Sequence, residues 1–263
     1  MTASASIPLS ATIEGIGLWA DGVADWDAFR AIRAGQAARD PAIRRPAPAL
    51  LPANERRRAP DTVLVALQAA QAACTMAGRA PATLSSVFAS TYGDLSITDH
   101  LCETLARAPT EVSPTRFHNS VHNAAAGYWT IGTGAMQPAT ALSAGPAGFA
   151  MGLLDALAQL AEGAEAVLLV GYDGPSPGPL HEVAPSAGLL GAALVLARGT
   201  APGRVGITVD SRAGVATAPV PGIGDGNASL PMLALFDALA AGADQTLLPA
   251  GGDHVLRIGL HHD

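Results

Sequence analysis

Two histidines four residues apart, His118 and His122, would share one face of a helix, a spacing that suits a pair of metal ligands. No His-Glu-x-x-His pattern surrounds them and no third ligand is evident; histidines bonded to nearby asparagines, here Asn119 and Asn123, are the commoner arrangement, so no metal is expected. Ser143 stands at the turn between an apolar strand and a small-residue helix, and would be a nucleophile only if a base such as His118 or His122 reached it. The fifteen basic residues are all arginines, which excludes Schiff-base chemistry and a lysine general base. Cys74 and Cys102 each fall in a helical pattern, arguing for free thiols in a reducing compartment. Gly222-Ile223-Gly224-Asp225-Gly226 follows no clear strand and lacks dinucleotide-loop spacing, and Gly15-Ile16-Gly17 lies within a strand, so no cofactor is expected.

These groups would be positioned by apolar segments of strand length alternating with longer segments of helical period, the pattern of largely parallel strands connected by helical crossovers. Strands are expected at Thr12 to Trp19, Leu84 to Ser90, Gln137 to Leu142, Ala166 to Gly171, Gly188 to Ala197, Val205 to Asp210 and Val255 to Leu260. Helices are expected at Asp61 to Gly78, Asp94 to Ala106, Ser113 to about Ile131, Pro146 to Glu162 and Ser229 to Ala241. Glycine and proline are scattered as turn punctuation, without a long linker, and a single domain spanning 1–263 is expected.

Two stretches carry a more specific signal. The first is Thr140-Ala141-Leu142-Ser143-Ala144-Gly145, followed by the strand beginning Glu162-Gly163-Ala164-Glu165-Ala166 and ending Tyr172-Asp173. The second runs from Ser113-Pro114 through Phe117, His118, Asn119, His122 and Asn123 to a small-residue segment ending in Gly127. Together they resemble the β-ketoacyl synthases, in which a cysteine following Thr-Ala opens a helix whose N-terminus activates the thiol. The resemblance is best over 12–198, with 204–263 as a partial second half. Ile13 to Trp19 and Leu51 to Arg58 are similar to truncated members of that family described as chain-length factors, particularly those of aryl polyene pathways.

The resemblance implies an α/β, thiolase-like fold, a mixed sheet covered by helices with an incomplete second half. Leu142 occupies the nucleophile position and performs no chemistry, leaving no catalytic residue. The synthase lysine is absent from this sequence, and the only histidines after position 200 are His254, His261 and His262. The implied role is a non-catalytic chain-length factor, a pseudo-enzyme that heterodimerises with a complete β-ketoacyl synthase in aryl polyene, polyketide or fatty-acid-like biosynthesis and meets acyl carrier protein through that complex. The implied dimer interface or tunnel comprises Phe117, His118, Asn119, His122, Asn123, Ala139, Thr140, Ala141 and Leu142, with Ile97 and Leu101 as chain-length candidates. The competing readings are an acyl-thioester hydrolase or transferase using Ser143 with His118 or His122, and a homodimeric scaffold or carrier-binding module.

Composition narrows the partners. A formal charge of −7 and no basic run longer than Arg56-Arg57-Arg58 argue against nucleic acid. The arginine run reads as a solvated face or local salt bridges, with carrier-protein or phosphopantetheine contact as its functional alternative. No stretch of about 18 apolar residues suggests a membrane span, and Met1 to Leu9 lacks the features of a signal peptide; a soluble, cytoplasmic protein is expected. Large apolar surface near Val121 to Trp129 is expected to be left for a partner to cover.

Overall fold

The computed structural model describes residues 9–262. Residues 1–8, part of the segment searched for a leader, lie outside the described residues. The described chain opens on β1 (Leu9–Ala20), followed by α1 (Trp26–Arg33), whose first turn is capped by Asp25 accepting from Ala28 N at 2.8 Å. Next come α2 (Ala53–Arg58) and α3 (Asp61–Ala77), which ends on Gly78 at a φ of 66°, a left-handed cap that favours glycine. β2 (Ser85–Ala89), α4 (Leu95–Arg107), α5 (Pro114–Asn119), α6 (Ala124–Thr133) and β3 (Ala139–Leu142) follow. Then come α7 (Gly148–Ala161), β4 (Ala166–Asp173), the short α8 (Leu180–Val183) and β5 (Leu190–Ala197). β6 (Val205–Ala213), α9 (Leu233–Ala241), β7 (Gln245–Pro249) and β8 (His254–His261) lie beyond.

All eight strands form one mixed sheet in the order β3-β2-β4-β5-β1-β6-β8-β7. The alternating pattern predicts largely parallel pairing, whereas only β3–β2 and β2–β4 are parallel and the other pairings are antiparallel. β2 reaches its parallel neighbour β3 through α4 to α6, and the crossover from β2 to its other parallel neighbour β4 adds β3 and α7, whereas β4 and β5, joined by a loop with only the short α8, are antiparallel. The strands after residue 204 extend the same sheet, β6 pairing with β1.

β4 and β5 are buried along their whole length and divide their side chains between two cores. Val167, Leu169, Leu194 and Leu196 enter the layer shared with α7 and α9. Leu168, Val170, Ala193 and Val195 enter the layer shared with α3 and α6. The approach of α3 to β1 sets the thickness of that second layer. A β-carbon on Gly15 would lie 2.1 Å from Ala73 O, and one on Gly17 would lie 1.9 Å from Ala69 O. The glycines within the strand therefore act in packing.

One helix needs correction. The helix expected from Ser113 to Ile131 is broken at 120–123, because Ser120 turns back and its hydroxyl donates to Phe117 O at 2.8 Å, while Ala124 N donates to Val121 O at 3.0 Å. The arginine run 56–58 forms the last turn of α2, ahead of α3.

Gly17→Ala is expected to destabilise the fold by about 3 kcal/mol, since its methyl meets helix backbone that has no rotamer to change. Gly127→Ala, in α6 with nothing within 4 Å of the added carbon, should be neutral or stabilising by up to about 1 kcal/mol. Urea midpoints of the two variants check the contrast.

Candidate functional site

β3, β2 and β4 run parallel, so their C-terminal ends deliver Leu142 and Ser143, Ser90 and Thr91, and Asp173 to one edge of the sheet. Such edges are where open α/β sheets place their ligands. Here the edge is closed around Asp173, a buried carboxylate with only 1% of its surface exposed. It accepts from Ser90 Oγ at 2.8 Å, Thr91 N at 2.9 Å, Tyr92 N at 3.1 Å and Ser229 Oγ at 2.6 Å. Asn227 Nδ2 lies 3.1 Å from Asp173 O, 3.2 Å from Ala187 O and 3.0 Å from Gly188 O, fastening the segment before α9 onto the ends of β4 and β5. The void left among Thr91, Gly145, Phe149, Ser229 and Met232 measures about 10 Å³. That is roughly the space needed to seat one water molecule.

Leu142 is half-buried, ends β3 and packs against the core shared with α7 and α9. Ser143 is exposed, and its hydroxyl donates to Thr91 O at 2.9 Å. His122 Nε2 lies 3.0 Å from Ser90 O; a carbonyl only accepts, so the ring donates from Nε2. His118 is exposed on α5, and the break after Asn119 keeps the two histidines off a common helix face. Neither histidine hydrogen-bonds Ser143. Among the described residues, groups of three or more potential metal-binding side chains are absent.

The serine–histidine contact among the described residues is elsewhere, Ser176 Oγ to His181 Nδ1 at 3.0 Å. That hydroxyl is also bonded to Ser186 O at 3.2 Å and Ser186 N at 2.9 Å, which makes it a loop fastening. Both cysteines are free; Cys74 is inside α3, where burial pushes its thiol up to about 12, and Cys102 is exposed on α4.

The other candidate residues gather on the far side of β3. This strand ends the sheet order, with Ala139 exposed and Thr140, Ala141 and Leu142 half-buried. The segment leading into it, of which α6 packs against β3, exposes Phe117 (64%), Val121, Ile131 (81%) and Met136 (94%). Trp129, by contrast, points inward and is fully buried against Phe88, so the uncovered surface comes from its neighbours. Asn119 is buried and takes a bond from Tyr128 OH at 3.2 Å, joining α5 to α6; Asn123 is exposed. A mostly apolar hollow of about 330 Å³ lies among Leu51, Val121, Tyr128 and Ile131, with Glu55 and His118 also in its lining. Ile97 is buried on α4 and Leu101, one turn on, is half-buried.

Sequence reading missed the Asp173 network. Its one signal was an aspartate closing an all-apolar strand, because the partners lie 83 and 56 positions away at Ser90 and Ser229.

Residues 26–249 match the family described as "Beta-ketoacyl synthase, N-terminal domain". Among solved structures, the chain is similar to one in a ketosynthase (ApeO) in complex with its chain length factor (ApeC) from Xenorhabdus doucetiae, at 22% identity over 95% of this chain and 99% of that one, with a TM-score of 0.75. It is similar at 16% identity to a chain of the ishigamide ketosynthase/chain length factor, over 96% and 99% of the two chains, with a TM-score of 0.70. A type II PKS acyl-carrier protein in complex with its ketosynthase, AntDE:AntF, contains a chain 12% identical over 97% and 99%, with a TM-score of 0.72. No curated protein matches. At these identities the structural likenesses establish the fold.

Asp173→Ala would leave two hydroxyls and two backbone N–H groups without their acceptor, and is expected to cost roughly 3 kcal/mol or more. Ser143→Ala removes one surface hydrogen bond and should stay within about 1 kcal/mol of the parent. Denaturant unfolding of both variants is the measurement.

Proposed function

Because the chain belongs to the family of β-ketoacyl synthase N-terminal domains, we propose that it serves as a non-catalytic chain-length-factor subunit, paired with an active β-ketoacyl synthase in aryl polyene or related polyketide assembly. The observation that carries this reading is the end of β3. Where the family places its thiol, this chain has Leu142, packed into the core, and the adjacent Ser143 hydroxyl is committed to a backbone carbonyl without a histidine beside it. A leucine has no group to acylate, and a void of about 10 Å³ has no room for an acyl chain. The arrangement supports packing at this position.

The partner follows from the other side of the same strand. Ala139 to Leu142 have a free edge, and Ile131 and Met136, in and just after the helix α6 that packs against this strand, leave apolar surface exposed, as do Phe117 and Val121 ahead of α6. A synthase subunit adding its own strand across a pseudo-two-fold axis would cover both features. In this arrangement Phe117, His118, His122 and Asn123 meet the partner, while Asn119 holds α5 against α6. The fold-level relatives give the precedent: one is a ketosynthase in complex with its chain length factor, and another complex contains an acyl-carrier protein. Contact with the carrier would come through the assembled pair.

Incubation with an acylated carrier protein separates the subunit from an enzyme. The isolated chain is expected to show no covalent acyl adduct by intact-mass spectrometry, and the co-purified one-to-one complex should carry the adduct on the synthase alone. An adduct on Ser143 would overturn the reading.

Product length should respond to α4. Leu101 is half-buried and Leu105, four residues on, is exposed, so this helical face runs from buried Ile97 out to the surface, where a partner could meet it. In the assembled complex, Leu101→Ala is expected to lengthen the products and Leu101→Trp to shorten them, read by mass spectrometry. Equal loss of all products in both variants would mean that Leu101 acts only in packing.

A further inference from the structure

The sheet has a second end, away from Asp173. β1 is antiparallel to β5 and β5 to β4, so β1 runs with β4, and its first residues lie at the end of the sheet opposite Asp173. There β1 pairs with β6 and β6 with β8, and the turn between β5 and β6 folds back onto β1, held where buried Thr12 donates its hydroxyl to Gly199 O. Between turn and sheet is a hollow of about 270 Å³. Gly206 lines it without a side chain to fill it; a β-carbon there would lie 3.6 Å from His261 Cβ.

The lining is rich in donors and contains no carboxylate. Arg204 is half-buried, and its Nη1 donates to Glu14 O at 2.7 Å, which fixes the guanidinium without neutralising it. The Glu14 carboxylate is taken by Arg79, through its two oxygens at 2.7 and 2.8 Å, so Arg204 has no carboxylate partner among the described residues. Thr208 Oγ1 and His261 Nε2 lie 3.1 Å apart. Whichever of the two donates, the pair keeps one donor for a third group: the threonine O–H if the ring donates from Nε2, the ring Nδ1–H if the hydroxyl does. Ser10 and Thr200 add hydroxyls. In the turn, Arg198 N and Arg204 N are bonded to Glu165 O and Ala201 O, whereas the N–H groups of Gly199, Thr200 and Ala201 have no protein acceptor among the described residues.

We propose that this hollow binds the phosphate group of a small phosphate monoester, with Arg204 as the charged anchor and His261, Thr208 and the turn supplying hydrogen bonds. A phosphate monoester presents three strong acceptor oxygens to such a donor set, whereas a carboxylate presents two. The volume is just below the roughly 300 Å³ at which pockets for drug-sized ligands begin, and Ala201 and Ile207 give only a short apolar wall, so the organic part of the ester is small. The site stands apart from the role of Leu142 and the β3 edge.

Isothermal titration calorimetry of the full chain with glycerol 3-phosphate provides the test, with inorganic phosphate and acetate as parallel titrants and circular dichroism confirming that each variant is folded. Glycerol 3-phosphate is expected to bind at least about threefold tighter than inorganic phosphate and about tenfold tighter than acetate. Arg204→Gln should weaken its binding about tenfold or more. Because that change also frees Glu14 O, Gly206→Leu serves as a second variant; it keeps Arg204, fills the hollow and should weaken binding by about tenfold or more as well. Arg198→Gln removes the same charge from an exposed residue of the same turn, outside the lining, and should stay within about twofold of the parent. Equal weakening by Arg198→Gln and Arg204→Gln would assign binding to bulk charge, and unchanged binding in both Arg204→Gln and Gly206→Leu would place it elsewhere; either result overturns the proposal. So would no binding of the ester, or inorganic phosphate or acetate binding as tightly as the ester.

Discussion

A buried carboxylate without a cation beside it has to collect its donors from the chain, and around Asp173 that requirement organises the whole edge of the sheet. Ser90, Thr91 and Tyr92 turn their hydrogens back toward β4, so the chain leaving β2 curls over the strand ends. Gly93, with a φ of 68° and its N–H on Ser90 Oγ, completes that turn before α4 begins. Ser229 comes from the segment preceding α9, tying the part of the chain that follows β6 to the parallel strands. The same contacts that satisfy Asp173 leave a void of only about 10 Å³ at this edge.

The parts of this architecture that were legible in the sequence are those governed by local periodicity. β4 and β5 read as unbroken apolar runs because both faces are buried, and α3 reads as a helix because its alanine- and leucine-rich run stops at a glycine. α1 was passed over, although Asp25 caps it and Trp26 and Phe29 anchor it, because eight residues give little more than two turns of pattern. The break in the helix at 120–123 has no proline or glycine to mark it; it rests on Ser120, whose hydroxyl takes Phe117 O as its acceptor. Strand direction was misread because a helix between two strands permits a parallel pair but does not make them neighbours. β1 sits between β5 and β6, antiparallel to both.

That break matters beyond assignment. An uninterrupted helix from Ser113 would have carried His118 and His122 on one face, whereas the break puts His118 on the exposed part of α5 and ties His122 to the end of β2. It also leaves Phe117 and Val121 outside the core, while Trp129 is drawn in beneath α6. The exposed apolar surface around the break thus comes from large side chains that the chain does not bury itself.

The two sides of β3 therefore differ in kind. On one side, Leu142 and the Asp173 network close the sheet edge and leave almost no free volume; on the other, the strand edge and its apolar neighbours are open. In the reading proposed here the chain contributes shape, and its influence on a reaction in the partner would pass through side-chain volume along the shared surface. No proton transfer within this chain is then required, which is compatible with Ser143 lacking a base and with His122 held as a donor to a backbone carbonyl.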